Sequence, residues 1–292
     1  MALGERKPDW LKKRFETNEK FFELSNELEE KKLHSVCVEA RCPNKSECWN
    51  KGTATFLVLG NVCTRNCGFC ATKSAKKGNQ VDGEEPRRLA EAVKKFGLKY
   101  AVITSVDRDD LDDFGAGHFA RCIEAVKSEC PDVKVEVLVP DFQGRLESIE
   151  TVVNAKPDVF GHNIETVGEL TGKVRDGKAS YETSLNVLRT AKEIDAAIKT
   201  KSSLLLGLGE TKAQLLQALD DLREAEVDFL AIGQYLQPSA KNLPVKEFVS
   251  PERFGELRKI ALKKGFSAVA SAPFVRSSYL AHELFVEADG KI

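Results

Sequence analysis

The sequence predicts an α/β fold: a parallel sheet with helices outside, curved into an open partial barrel of about six β/α units. Three observations lead there. Short apolar, β-branched runs alternate with amphipathic helical stretches from residue 53 to residue 271. No linker or low-complexity segment divides that span, and a 292-residue chain can be one large domain. About six units are too few to close an eight-stranded barrel.

The elements follow in order. Residues 8–33 read as a helix, with Asp9 ahead of WLKKRFETNEKFFELSNELEEKK and acids and bases at i, i+4 spacing. TATFLVLG (53–60) reads as a buried strand ending in glycine. EEPRRLAEAVKKFG (84–97) reads as a helix, with Pro86 near its start and Gly97 at its end. The alternation then repeats. Strands KYAVITS, VKVEVLVP, DVFGHNIE, IKTKSSLLLGLGE and DFLAIGQY are each followed by a helix, namely GHFARCIEAVKSE, RLESIETVVNA, YETSLNVLRTAKE, TKAQLLQALDDLREAE and SPERFGELRKIALKKG. Ser250 is the expected N-cap of the last helix, and FSAVAS (266–271) closes the series. In such barrels the chemistry sits at the carboxyl ends of the strands. The loops 61–70, TSVDRDD, HNIET, GLGE and GQYLQPS therefore converge on one mouth.

Composition excludes several classes. Net charge is −1, so the whole chain carries no electrostatic case for a nucleic-acid partner. No stretch approaches the roughly 20 apolar residues needed to span a bilayer. The acid-rich N-terminus argues against a signal or transit peptide. A cytoplasmic protein is expected, where clustered cysteines more often bind metal than pair.

Eight cysteines fall unevenly. Cys122 and Cys130 lie apart and read as buried or half-buried free thiols. Cys63, Cys67 and Cys70 form a C-x3-C-x2-C run inside NVCTRNCGFC. A structural zinc site wants four ligands, usually in two separated pairs, and a conventional ferredoxin cage wants four thiolates. A helical core trio is disfavoured by Asn66 and Gly68 within the run. Three thiolates on a four-iron cluster leave one iron open, which is what a catalytic cluster needs.

That motif, with Phe69 before the last cysteine and the first strand of a partial barrel ahead of it, resembles the radical S-adenosylmethionine enzymes. The resemblance implies that the open iron chelates S-adenosylmethionine and that its reductive cleavage yields a 5′-deoxyadenosyl radical. A second trio, Cys37, Cys42 and Cys48, lies in HSVCVEARCPNKSECWN with spacing C-x4-C-x5-C. It reads as a zinc-stapled loop or as a second iron–sulfur cluster, and it too lacks a fourth cysteine.

EARCPNKSECW, GTATFLVLGNVCTRNCGFCA, ITSVDRDDL, LVPDFQG, HNIETV, TKSSLLLGLGET, GQYLQPS and FVRSSY together resemble the lipoyl synthase family, in its block order, over residues 34–281. The family usually has glycine where Ala272 stands and often one at Ser203. The resemblance implies a radical sulfurtransferase that inserts two sulfurs into a protein-bound octanoyl-lysine, with a 4Fe-4S cluster on Cys37, Cys42 and Cys48 as the sacrificial donor. It implies a serine of Arg276-Ser277-Ser278-Tyr279 as that cluster's fourth ligand, assigned to Ser278 with Ser277 as second candidate. Two S-adenosylmethionine molecules serve each lipoyl group, and Ser105, Asp107, Asn163 and Glu165 are the expected contacts to them. Ser, Asp and Asn also favour caps and turns on their own account.

Implied partners are octanoylated carriers (glycine cleavage H protein, 2-oxoacid dehydrogenase acyltransferase subunits), an electron donor such as ferredoxin or flavodoxin, and a cluster carrier for repair. A monomer is expected. Three parts follow: residues 1–52 with the auxiliary cysteines, the radical SAM barrel 53–271, and 272–292 with the serine motif, the flanking parts lying over the mouth. The alternatives are another sulfur-inserting radical enzyme with a different alkyl substrate, and a non-catalytic electron carrier or zinc-stabilised binding module. Carriers shield complete four-thiolate clusters, which neither trio provides.

Overall fold

In the computed structural model residues 7–51 and 53–288 are described. The outer ends of the expected flanking parts, residues 1–6 and 289–292, and Gly52 at their expected boundary lie outside the described residues.

The strands are β1 (His34–Ser35), β2 (Thr55–Val58), β3 (Val62–Cys63), β4 (Lys73–Ser74), β5 (Tyr100–Ser105), β6 (Lys134–Leu138), β7 (Val159–Gly161), β8 (Lys199–Leu206), β9 (Phe229–Gln234) and β10 (Ala268–Ser271). The helices are α1 (Glu19–Glu30), α2 (Val36–Glu39), α3 (Lys45–Asn50), α4 (Glu85–Lys95), α5 (Ala116–Glu129), α6 (Leu146–Asn154), α7 (Gly168–Val174), α8 (Tyr181–Ile194), α9 (Lys212–Glu224), α10 (Pro251–Lys263) and α11 (Ala281–Ala288). The main sheet has the order β1-β2-β5-β6-β7-β8-β9-β10. Its neighbours from β2 to β10 are all parallel, and β1 adds antiparallel at one edge. β3 and β4 pair separately in the cysteine loop. The sheet is open between β1 and β10, so the expected partial barrel stands.

Parallel strands are buried on both faces, which explains their nearly continuous apolar runs. Ala101, Ile103, Val135, Val137 and Phe160 face the outer helices with Leu89, Val93, Phe119 and Ile123. The barrel interior is partly polar. Lys201 donates to both Glu136 carboxylate oxygens at 2.8 and 3.0 Å, and the Tyr100 hydroxyl donates to the same carboxylate at 2.7 Å. Beneath them α11 presses Leu284 and Phe285 against Tyr100, Val159, Phe229 and Ala268, the first residues of four strands. It plugs the amino end of the barrel and leaves the carboxyl end open.

The helix expected over 8–33 is shorter. Asp9–Leu11 is a single 3-10 turn, and α1 begins at Glu19, where the Asn18 side chain accepts a hydrogen bond from the Phe21 amide. The competing pull is tertiary: Lys13 reaches across to Asn44 and Glu47, which a continuous helix would not permit. Ser250 caps α10 as expected, and Cys122 and Cys130 are buried and half-buried.

Candidate active site at the carboxyl ends of the strands

The cysteine run 63–70 is a loop held from four directions. Cys63 ends β3, and its carbonyl accepts from the Ala75 amide. Thr64 donates through both its amide and its hydroxyl to the Asp107 carbonyl at 3.0 Å. The Gly68 amide donates to the Val174 carbonyl, and its carbonyl accepts from Leu243. Asn242 donates a side-chain hydrogen bond to the Cys70 carbonyl at 2.7 Å. A Cβ on Gly68 would stand 2.9 Å from the Leu243 side chain, so glycine is what lets the 236–247 strap lie this close.

Arg65 is the centre of that clamp. Its guanidinium, 2% exposed, forks onto Asp141 at 2.7 Å through two bonds and onto Asp109 at 2.9 and 3.0 Å. One cation thus ties the cysteine loop to the ends of β5 and β6. Asp107 sits 3.4 Å from Arg65 and has a carboxylate oxygen 3.7 Å from the Cys63 sulfur. Burial nevertheless pushes the Asp107 carboxyl up to about 6. The Asp109 carboxyl is held well below the usual range by Arg65, Gln143 and Lys178 against the opposing effect of burial.

The N-terminal trio approaches the same mouth from the other side. Cys37 lies on α2 and Cys48 on α3, with Cys42 in the turn between them. The C-terminal strand of chain is stitched to them. Asn44 donates to the Phe274 carbonyl at 2.7 Å, and the Tyr279 hydroxyl donates to Glu47 at 3.0 Å. These bonds bracket Arg276, Ser277 and Ser278. A Cβ on Gly233 would meet the Val275 carbonyl at 2.0 Å, so only glycine lets this segment lie flush on β9.

A cavity of about 520 Å³ unites these parts. All six clustered cysteines line it, as do Ser105, Asp107, Asn163, Glu165, Ser277 and Ser278. Ser105 donates to the Val106 carbonyl at 2.8 Å. The Asn163 amide donates to Glu165 at 3.0 Å and accepts from Ser277 at 3.0 Å. Burial raises the Glu165 carboxyl.

Comparison with known proteins gives the family. Residues 57–222 match the Radical SAM superfamily. A lipoyl synthase from Methanocella arvoryzae is 50% identical over 96% of this chain and 95% of its own length. One from Caldicellulosiruptor bescii is 53% identical over 94% of both chains. The chain belongs to the lipoyl synthase family. A third relative, the Thermus thermophilus lipoyl synthase, is 50% identical over 98% of this chain and 88% of its own. Among solved structures, methylornithine synthase superposes with a TM-score of 0.55 at 16% identity, over 84% of this chain and 73% of that one. That likeness speaks for the fold alone.

Membership of the lipoyl synthase family makes the protein a radical SAM sulfurtransferase and implies iron–sulfur chemistry with S-adenosylmethionine. The donors present fit such a group. Burial pushes the Cys48, Cys63 and Cys67 thiols up to about 12, with neighbouring charges adding to it. As free groups they stay protonated, and a bound cationic metal would stabilise their thiolates. Backbone amides are already aimed at sulfur, from Arg65 to Cys63 at 3.4 Å and from Asp176 to Cys67 at 3.3 Å. Among the described residues no three His, Cys, Asp or Glu side chains converge on a single-ion site. A cubane spreads its ligands wider than one ion does. Among the described residues no helix is long and apolar enough to cross a membrane.

Sequence reasoning missed Arg65, Asp109, Asp141 and Asn242 as site supports. The available signal was an arginine inside a cysteine loop together with an acid-rich strand end, DRDD, and neither identifies its partner across 76 residues.

Proposed function

We propose that the protein makes lipoyl groups by inserting two sulfurs into an octanoyl chain on a carrier lysine. The observation that carries this reading is the shared cavity, lined by both cysteine trios and by the serine motif. Cys63, Cys67 and Cys70 would hold the cluster that binds S-adenosylmethionine, and Cys37, Cys42, Cys48 and Ser278 the auxiliary cluster. When bound, these groups supply reductive cleavage of S-adenosylmethionine, hydrogen abstraction and the two sulfur atoms.

The chain's own residues do the rest. Arg65 and Asn242 fix the loop that would present Cys63, Cys67 and Cys70 to a cluster. Asp107, beside Cys63, and Glu165 offer carboxylates to the amino group and ribose of S-adenosylmethionine, with Ser105 alongside. Asn163 orients Glu165. Apolar walls from Leu57, Val106, Leu138 and Leu205 suit an alkyl chain and keep water from a carbon radical. Residues 1–52 and 272–292 act as flanking parts that carry the auxiliary ligands to a barrel spanning 53–271. The substrate is an octanoylated carrier domain, a ferredoxin- or flavodoxin-type donor supplies electrons, and a cluster carrier restores the consumed cluster. The enzyme works as a cytoplasmic monomer.

The test is a pair of variants in anaerobically reconstituted protein. Cys63→Ala should abolish 5′-deoxyadenosine formation while keeping one cluster's iron. Cys42→Ala should keep deoxyadenosine formation and lose sulfur insertion. Full product from Cys42→Ala would defeat the reading.

A further inference from the structure

Charge on this chain is nearly balanced overall, at −1, but it is not evenly spread. Three stretches that line the cavity run outward from it as its rim: 40–45 (ARCPNK), 71–81 (ATKSAKKGNQV) and 235–243 (YLQPSAKNL). Together they hold six of the 44 lysines and arginines and none of the 45 acids. Lys45 is half-buried over the Trp49 ring at 4.4 Å. Arg41, Lys73, Lys76, Lys77 and Lys241 are exposed, as is Lys7, which also lines the cavity. None of these six exposed cations makes an ion pair among the described residues.

The acids of the surrounding loops are turned inward or occupied. Asp109 and Asp141 hold Arg65, Asp110 holds Arg108, and Glu165 is bonded to Asn163. Glu39 and Asp176 adjoin the rim, half-buried, and accept from the Asn61 side chain and the Asn66 amide. Counting both, six exposed cations stand against two acids. The cations border the opening from three sides. Arg41 precedes Cys42 and reaches the Pro238 carbonyl at 3.4 Å. Lys73, Lys76 and Lys77 follow Cys70, and Lys241 precedes Asn242, which bonds the Cys70 carbonyl. They surround the opening and belong to neither cysteine trio alone.

A lysine side chain that carries its acyl group into the mouth brings the surface of its own domain against this rim. We propose that the rim is the docking surface for the carrier, which presents to it an acidic face around the acylated lysine. The inference rests on the carrier-lysine reading above and adds the chemistry by which the carrier is recognised. Exposed charges steer encounter more than they hold a complex, and salt screens them. That suits a partner that must leave with its product. An electron donor needs to approach only one cluster, so cations on three sides of the opening favour the carrier.

Binding is read by fluorescence anisotropy, with labelled octanoylated glycine cleavage H protein and unreduced enzyme holding both clusters. Lys76→Glu combined with Lys77→Glu, and Lys73→Glu combined with Lys241→Glu, should each weaken binding on the order of tenfold at low salt, and high salt should close the gap. Arginine at the same positions should preserve it. An octanoyl-lysine peptide flanked by glutamates should bind the wild type more tightly than one flanked by lysines, and the glutamate variants should lose that preference. S-adenosylmethionine cleavage driven by dithionite should be unchanged. Equal carrier binding by wild type and glutamate variants, or none by the wild type, would overturn the proposal. Intact carrier binding in the variants, with turnover lost only when a flavodoxin-type protein supplies electrons, would overturn it in favour of the electron donor. Salt-sensitive carrier binding without sulfur insertion under dithionite would support the docking surface and overturn the sulfur-insertion reading, so the two failures are distinct.

Discussion

The Ser277 hydroxyl donates a 3.0 Å hydrogen bond to the side-chain oxygen of Asn163, joining the C-terminal motif to the loop after β7. Its neighbour Ser278 lines the shared cavity, and its hydroxyl has no hydrogen-bond partner among the described residues. The two serines are therefore not equivalent: one hydroxyl is committed to the site framework and the other is available to a metal.

Ser278→Ala should labilise one iron of the auxiliary cluster without preventing S-adenosylmethionine cleavage. Ser277→Ala should keep all the iron and lose one hydrogen bond, about 1 kcal/mol. Chelatable iron counted in both variants decides the assignment, and the reverse pattern would make Ser277 the ligand.

Arg65→Met removes the cation between two buried carboxylates. Unfolding in urea should show a loss of about 3–5 kcal/mol, the usual penalty for breaking one side of a buried pair. Arg65→Lys should recover only part of it, because a single ammonium cannot fork onto Asp109 and Asp141 together. Iron retention should fall at the Cys63–Cys70 cluster and hold at the other.

In the barrel interior, Lys201→Met leaves Glu136 with Tyr100 as its only side-chain partner among the described residues. A similar loss, about 3–5 kcal/mol, is expected from the single variant, and adding Glu136→Leu should restore much of it. A double variant no more stable than the single one would contradict this.

His162 is buried between the Val139 carbonyl and the Ser184 hydroxyl, at 2.8 and 3.0 Å. Burial, with Arg175 nearby, pushes its imidazole down to about 4. The unfolded chain takes up this proton below about 6.5 and the folded chain only below about 4, so stability falls as pH drops through that window. The contribution lost is roughly 3 kcal/mol by pH 4. Denaturant titrations at pH 7 and pH 5 should show a smaller pH dependence in His162→Gln than in the wild type.

Much of this protein is written locally. The parallel strands announce themselves because both faces are buried, so β5 and β9 read as unbroken apolar runs. The cysteine spacing and the serine motif carry the site's donors in plain view. Other features depend on meetings that periodicity does not report. The start of α1 depends on the Asn18 cap and on the reach of Lys13 to Glu47, 34 residues away. The α11 plug has no local signal, because an eight-residue helix has no meaning until Phe285 finds Tyr100 and Phe229. Nothing local to Arg65 tells it from any other charged loop residue.

The most direct measurement is a mass spectrum of a peptide bearing octanoyl-lysine, incubated anaerobically with reconstituted protein, S-adenosylmethionine and a strong reductant. The account predicts a peptide that gains two sulfurs, as the dithiol under these reducing conditions and with two hydrogens fewer once the dithiol is oxidised to the disulfide. An unchanged peptide and no 5′-deoxyadenosine, from protein shown to hold both clusters, would contradict it.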